Sequence, residues 1–176
     1  MWLLQYDELA ECGRIFVMNI LKAVAKLLPV KTIHAHCDIP CGIYDPHNMQ
    51  MAAHTVIRMT ELFNEVGAGD RESTHKIARL TKVKEDHAEL AKHEVRVLYG
   101  DYFKQEHLEK YPELHELVFK TLKVASKARQ NIDLAAAEEL LANTQRIAEI
   151  FFETKGLKSK KVKAPYPTER EIVIQD

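Results

Sequence analysis

The hydrophobic positions after residue 45 follow the pattern of amphipathic helices. In four stretches, apolar residues recur every three or four positions, which places them on one face of a helix. These stretches run through residues 49–63, 77–98, 114–125 and 134–152. Four amphipathic helices joined mostly by short links predict an all-α fold, an antiparallel four-helix bundle.

Residues that commonly begin and end helices lie at the borders of these stretches. Asp45 and Pro46 combine a favourable N-cap with a proline for the first helical position. The segment before residue 45 is therefore expected to attach directly to the start of the first helix. The later borders are predicted at Gly67 to Gly69, at about Ser73 and Tyr99, at Pro112, and at Asp133 and Gly156.

Composition and charge are those of one globular domain. The chain has 176 residues, of which 46% are apolar and 29% are charged. A formal net charge of −1 argues against nucleic acid as a partner. No run of about 18 apolar residues suggests a membrane helix, and three cysteines give no disulfide framework. We expect a cytoplasmic protein without membrane contact.

A compact set of metal-binding side chains precedes the first helix. His36, Cys37 and Cys41 lie within six positions of one another, and thiolate and imidazole together suit soft or borderline transition metals. If the chain is cut before His36, its free α-amine and the amide nitrogen of Cys37 also become donors. Two nitrogens and two sulfurs in one plane favour Ni(II) or Cu(II), with the His36 imidazole as an axial ligand.

Other uses of these cysteines stay open on spacing alone. A structural zinc site needs four ligands and usually a second ligand pair elsewhere in the chain. A redox disulfide between Cys37 and Cys41 is the other alternative. A di-iron site in the bundle would need two Glu-x-x-His pairs, and only Glu72 and His75 have that spacing.

The surrounding sequence distinguishes among these alternatives. HCDIPCGIYDP at residues 36–46 resembles the nickel hook at the mature N-terminus of the nickel-containing superoxide dismutase family. The resemblance continues through AELAKHEVRVLYGDYFK at 88–104 and EKYPELHELV at 109–118, and covers most of residues 36–155. It implies an antioxidant enzyme that converts superoxide to dioxygen and hydrogen peroxide by Ni(II)/Ni(III) cycling, with one nickel ion per subunit in a homohexamer. The alternative is a non-enzymatic nickel or zinc binding protein.

The resemblance also assigns residues around the metal. It implies that His36, Cys37 and Cys41 are the nickel ligands and that Tyr44 and Tyr102 line substrate access. Lys104, beside Tyr102, is a candidate for attracting the anionic substrate.

One part of the family pattern is missing. In members where a glutamate and an arginine steady the axial histidine, this chain has Ala52 and His87 at those positions. We therefore expect His54 or His87 to replace that support, with a buried core histidine as the alternative for His87.

The two ends of the chain receive separate predictions. Residues 1–35 are predicted to be a propeptide that a maturation peptidase removes, because the His36 amine is otherwise blocked. Met18 is an alternative start, which would make residues 1–17 a mis-assigned upstream segment. Residues 36–156 form the hook and the bundle, and residues 157–176 a C-terminal tail, expected either to be mobile or to pack on a neighbouring subunit.

Overall fold

A computed structural model describes residues 41–67 and 69–176 of the chain. The helices are α1 His47–Asn64, α2 Arg71–Val97, α3 Gln105–Lys110, α4 Leu114–Gln130 and α5 Leu134–Thr154. A five-residue π-helical turn, Leu98–Tyr102, continues α2. Two strands follow, β1 Ser159–Lys163 and β2 Glu171–Gln175. The predicted four-helix bundle is confirmed, with α1, α2, α4 and α5 as its long helices.

The helix starts are set by aspartates close to the predicted borders. The Asp45 carboxylate accepts the backbone N–H of His47 at 2.6 Å, so the helix starts one residue later than the prediction, after Pro46. Asp133 accepts the N–H of Ala136 at 2.9 Å and caps α5 as expected. Asp70 caps α2 by accepting the N–H of Ser73 at 2.6 Å. This helix therefore begins at Arg71, two residues before the predicted Ser73.

The core has two parts with different side chains. The part at the α1 start is built from large residues, among them Met49, Phe103, Phe151, Phe152 and Val173. The other part is rich in alanine, which allows close approach of the helices, and it includes Ala53, Ala88, Ala91, Ala125 and Ala137.

Leu90, which the helical spacing of the 77–98 stretch predicts on the apolar face with Ile77, Leu80, Val83, Val95 and Leu98, does not join the buried face of α2. Ala88 and Ala91 define the buried face at that level, and Leu90 is rotated away from both by helical geometry. Its side chain is 39% exposed. Lys84 lies on the buried side instead, where its ammonium donates to the backbone carbonyls of Ala128, Arg129 and Asn131 at 2.7–2.8 Å.

The C-terminal segment forms an antiparallel hairpin on its own bundle, where the sequence had suggested a mobile tail; its contact with a neighbouring subunit stays a prediction. The strands pair from Ser159 opposite Gln175 to Lys163 opposite Glu171. Ile172 and Val173 of β2 are buried. Arg170, just before β2, binds the carboxylates of Glu61 in α1 and Glu138 in α5.

The outer strand of this hairpin, β1, carries lysines. Lys160, Lys161 and Lys163 pair with Asp176, Glu149 and Glu169 at 2.8, 3.4 and 3.6 Å. No helix within the described part of the chain is long and apolar enough to cross a membrane.

Candidate metal centre

Cys41 is the predicted nickel ligand that lies within the described residues. Its thiol is free and exposed. The backbone N–H of Ile43 points to Sγ at 3.4 Å, in a turn where Gly42 has a φ of +71° that favours glycine. The thiol in turn donates weakly to the carbonyl of Ile43 at 3.9 Å, so the turn holds the sulfur in one position, and a thiolate there is the form that would bind a metal.

The other predicted ligands, His36 and Cys37, lie outside the described residues. Within residues 41–67 and 69–176, no three His, Cys, Asp or Glu side chains converge in a way that could hold a metal. A metal at Cys41 therefore requires donors from earlier in the chain. The amine, amide, imidazole and thiolate that His36 and Cys37 offer complete a nitrogen and sulfur donor set, which fits nickel chemically.

The segment after Cys41 is fixed to the bundle by the two predicted access tyrosines. The ring centroids of Tyr44 and Tyr102 are 5.4 Å apart with planes tilted by 50°. Both rings pack against the core of large residues at the start of α1. The structure thus brings together Tyr44, three residues after Cys41, and Tyr102 at the far end of the π-helical turn.

Tyr102 is held on several sides. Its ring contacts Phe151 at a centroid distance of 4.7 Å and stacks on His107 at 5.7 Å. Its hydroxyl lies 2.8 Å from Oγ1 of Thr154. Because the Thr154 hydroxyl already donates to the carbonyl of Phe151 at 2.7 Å, Tyr102 must be the donor in the first bond. The lone pairs of the Tyr102 oxygen are therefore the side of this hydroxyl that can meet solvent or substrate.

The cation over the Tyr102 ring is Lys155, which the sequence prediction did not select. Its Nζ lies 5.1 Å from the ring centroids of both Tyr102 and Phe151. Lys104, the predicted cation, precedes α3, and its backbone N–H donates to Nδ1 of His107 at 3.1 Å. Lys155 is 53 residues from Tyr102, so only its position directly after Thr154 at the end of α5 could have indicated it.

The residues expected to support the axial histidine have other roles. Ala52 is buried in the alanine-rich core. His54 is also buried, and both its ring nitrogens contact the hairpin segment: Nδ1 lies 2.7 Å from Oγ1 of Thr168 and Nε2 lies 3.2 Å from the carbonyl of Glu171. Since a carbonyl only accepts, Nε2 carries the proton. Burial lowers the pKa of His54, so the ring is neutral. Both ring nitrogens are thus engaged with the hairpin segment, and a role of His54 in steadying His36 stays a prediction, because His36 is outside the described residues.

His87 is half-buried in the middle of α2. Its Nδ1 donates to the carbonyl of Val83 one turn earlier, at 2.8 Å. This bond fixes the ring on its own helix, in agreement with a structural histidine. A role in supporting His36 stays a prediction, because His36 is outside the described residues.

Comparison with known proteins gives consistent matches over the hook and bundle. Residues 31–155 match the family described as nickel-containing superoxide dismutase. The superoxide dismutase [Ni] of Streptomyces coelicolor is 46% identical over 127 residues, which cover 72% of this chain and 93% of that protein. The enzyme of the same name from Streptomyces seoulensis is 42% identical over equal coverage.

Solved structures agree with these sequence matches. A native nickel superoxide dismutase structure aligns with a TM-score of 0.62 at 47% identity, covering 68% of this chain and 99% of the other. A structure whose nickel ligation corresponds to the oxidised state aligns with a TM-score of 0.63 at 41% identity, covering 69% and 99%. The C-terminal hairpin lies after residue 155, beyond the family match.

Proposed function

The chain belongs to the nickel-containing superoxide dismutase family, and we propose that its activity depends on a nickel hook that begins at His36 after proteolytic cleavage. It is an oxidoreductase that uses nickel and acts on superoxide. The observation that best supports the proposed hook is Cys41: an exposed free thiol, with an N–H directed at its sulfur, in a segment fixed to the bundle through Tyr44.

The proposed ligands are the amine and imidazole of His36, the amide nitrogen of Cys37, and the thiolates of Cys37 and Cys41. One nickel ion per subunit supplies a Ni(III)/Ni(II) couple when bound, so that two superoxide ions and two protons become one dioxygen and one hydrogen peroxide. The backbone N–H of Ile43 is directed at the Cys41 sulfur and helps to orient it. The exposed position of Cys41 leaves it open to solvent, from which the two protons can come.

Tyr44 and Tyr102 are proposed to control which molecules reach the hook. The two rings form an apolar wall at the segment that follows Cys41, which we expect to favour a small substrate over large reductants. The Tyr102 hydroxyl donates to Thr154 and thus offers an acceptor, not a proton, to its surroundings. Lys155 supplies a positive charge at the same wall, and attracts an anion in a protein whose formal net charge is −1.

Maturation and assembly complete the proposal. Residues 1–35 are a propeptide that a maturation peptidase removes in the cytoplasm, and the processed subunits assemble as a homohexamer. The support for these points is the likeness to the family around His36, together with the need for a free α-amine as a metal donor.

The test compares the full chain with the same chain cleaved before His36, each supplied with nickel. We expect tight nickel binding, rapid superoxide removal and a rhombic Ni(III) signal in electron paramagnetic resonance only after cleavage. Cys41→Ser in the cleaved chain should lose all three. Nickel or zinc binding without superoxide removal in the cleaved wild-type chain would instead establish a non-enzymatic metal-binding protein.

A further inference from the structure

Gln50 connects the C-terminal hairpin to the residue from which α1 starts. This side chain is fully buried. Its Nε2 donates to the carbonyl of Val173 in β2 at 3.0 Å and to the carbonyl of Pro46 at 3.3 Å. Its Oε1 accepts the backbone N–H of Val173 at 2.8 Å. Because the Val173 N–H can only donate, the oxygen of the Gln50 amide, and not its nitrogen, must face it.

These three bonds use both donors and the acceptor of a buried amide. A buried polar group that loses its partners retains the full cost of its removal from water. The arrangement is therefore cooperative: Gln50 holds the Pro46 carbonyl in place only while β2 is docked. The Gln50 side chain also occupies the free edge of β2 at Val173, as a neighbouring strand would.

Pro46 is close to the nickel hook along the chain. The carboxylate of Asp45, the residue before it, accepts the backbone N–H of His47, and Tyr44 packs on Tyr102. The Val173 side chain enters the same core cluster against which Tyr44 and Tyr102 pack. The hairpin is thus linked to residues 44–46 in two indirect ways, through the Gln50 side chain and through a shared apolar cluster.

Where other family members have a carboxylate and a guanidinium that support the axial histidine, this chain has Ala52 and His87. The hook therefore lacks that support. Both ring nitrogens of His54 contact the hairpin segment. The hairpin itself follows the part of the chain that matches the family. An element beyond the family match is therefore linked through Gln50 to the residues that follow Cys41, in a chain with Ala52 and His87 at the two positions of the family-type support.

We propose that the C-terminal hairpin is a brace for the nickel hook, and that Gln50 is the positioning residue through which it acts. The inference rests on the proposed nickel site. Gln50 acts through Pro46 on the direction in which residues 41–45 leave the bundle, and so on the position of Cys41. Removal of the amide frees that segment and speeds nickel release.

The test compares Gln50→Met with Gln145→Met in the cleaved chain, residues 36–176. Gln145 is a matched control, because its Nε2 also donates to a β2 carbonyl, that of Glu171, at 2.7 Å but does not reach Pro46. Both variants should weaken hairpin docking. Loss of a residue that orients a metal ligand typically costs about tenfold or more in affinity, so we expect about tenfold faster nickel release to a chelator from Gln50→Met alone.

Amide hydrogen exchange gives a second readout that is independent of nickel. The N–H groups of residues 47–50 should exchange faster in Gln50→Met than in Gln145→Met, while the α4 amides stay protected in both. Gln50→Glu keeps the acceptor for Val173 but removes both donors of the amide, and should release nickel faster as well. It serves in place of Gln50→Met if that variant does not fold.

Two failures are distinguishable. If the cleaved wild-type chain does not bind nickel through Cys41, the proposed function is refuted and the brace with it. If the wild-type chain binds nickel but Gln50→Met and Gln50→Glu both release it at the wild-type rate, the brace alone is overturned.

Discussion

Lys155 provides the sharpest test of how the substrate is attracted. Its ammonium lies 5.1 Å from the centroid of the Tyr102 ring. Lys155→Met removes the positive charge and keeps an unbranched side chain that can still cover the rings of Tyr102 and Phe151. The change should therefore reduce the capture of an anion more than it reduces stability, since an exposed cation–π contact contributes only about 0.5–1 kcal/mol.

The expected size follows from the distance. A superoxide ion in van der Waals contact with the Tyr102 ring would lie about 6 Å from Nζ, where two unit charges in water attract by about 0.7 kcal/mol. That energy corresponds to about a threefold change in kcat/KM, because 1.4 kcal/mol corresponds to tenfold. A lower dielectric constant beside the apolar wall would raise the effect, and added salt would reduce it.

The assay is superoxide decay catalysed by the cleaved, nickel-loaded chain at about 10 mM and at about 100 mM ionic strength, where the screening length falls from about 30 to about 10 Å. Lys155→Met should lose about threefold at low salt and less at high salt, and Lys155→Arg should keep most of the wild-type rate. Lys161→Met is the control, because it removes the same charge from β1, where Lys161 pairs with Glu149. Equal rates for Lys155→Met and Lys161→Met at low salt would refute the steering role.

Three further predictions concern the metal, the fold and pH. Cys41→Ser should abolish nickel binding by equilibrium dialysis but leave the helical circular dichroism unchanged, since Cys41 is exposed; retention of stoichiometric nickel would contradict its role as a ligand. Lys84→Met should lower the free energy of unfolding by about 2–4 kcal/mol, because three carbonyls lose a charged donor, and a loss under 1 kcal/mol in urea unfolding would show that water replaces the ammonium. Burial lowers the pKa of His54 from 6.5, so the unfolded chain binds more protons and stability should fall as the pH drops below about 6.5. His54→Gln should flatten that part of the pH profile, and an unchanged slope between pH 7 and pH 5 would contradict the assignment.

The sequence predicted the parts of the fold that depend on local pattern. Helical periodicity and aspartate caps are both patterns of residues that are close together in the sequence. The four long helices and the cap at Asp133 could therefore be identified from the sequence alone. The hook was identifiable because His36, Cys37 and Cys41 are close in sequence and the family motif is specific. The Tyr44 and Tyr102 pair was predicted by resemblance, and the structure places the two rings in contact.

The features that sequence reasoning missed depend on contacts between distant residues. The hairpin docks through Gln50 and Val173, which are 123 positions apart, and a short β-branched run near the end of a chain gives no sign of its partner. The π-helical turn at 98–102 directly follows α2, so the helical pattern of apolar residues in α2 is not interrupted and does not reveal the turn. Lys155 reaches Tyr102 across the bundle. Leu90 was misplaced because small drifts in helical phase accumulate over a helix of 27 residues.

The lysines of β1 have a consequence for self-association. A two-stranded hairpin has two edges, and Gln50 covers β2 at Val173. The other edge, along β1, presents Lys160, Lys161 and Lys163, each already paired with an acidic side chain of the same chain. A strand from another molecule would have to displace these pairs and bring its backbone among three ammonium groups, which is how natural edges resist sheet extension. Copies of this protein are therefore expected to associate through helical surfaces, and the hairpin to resist fibre formation even at high concentration.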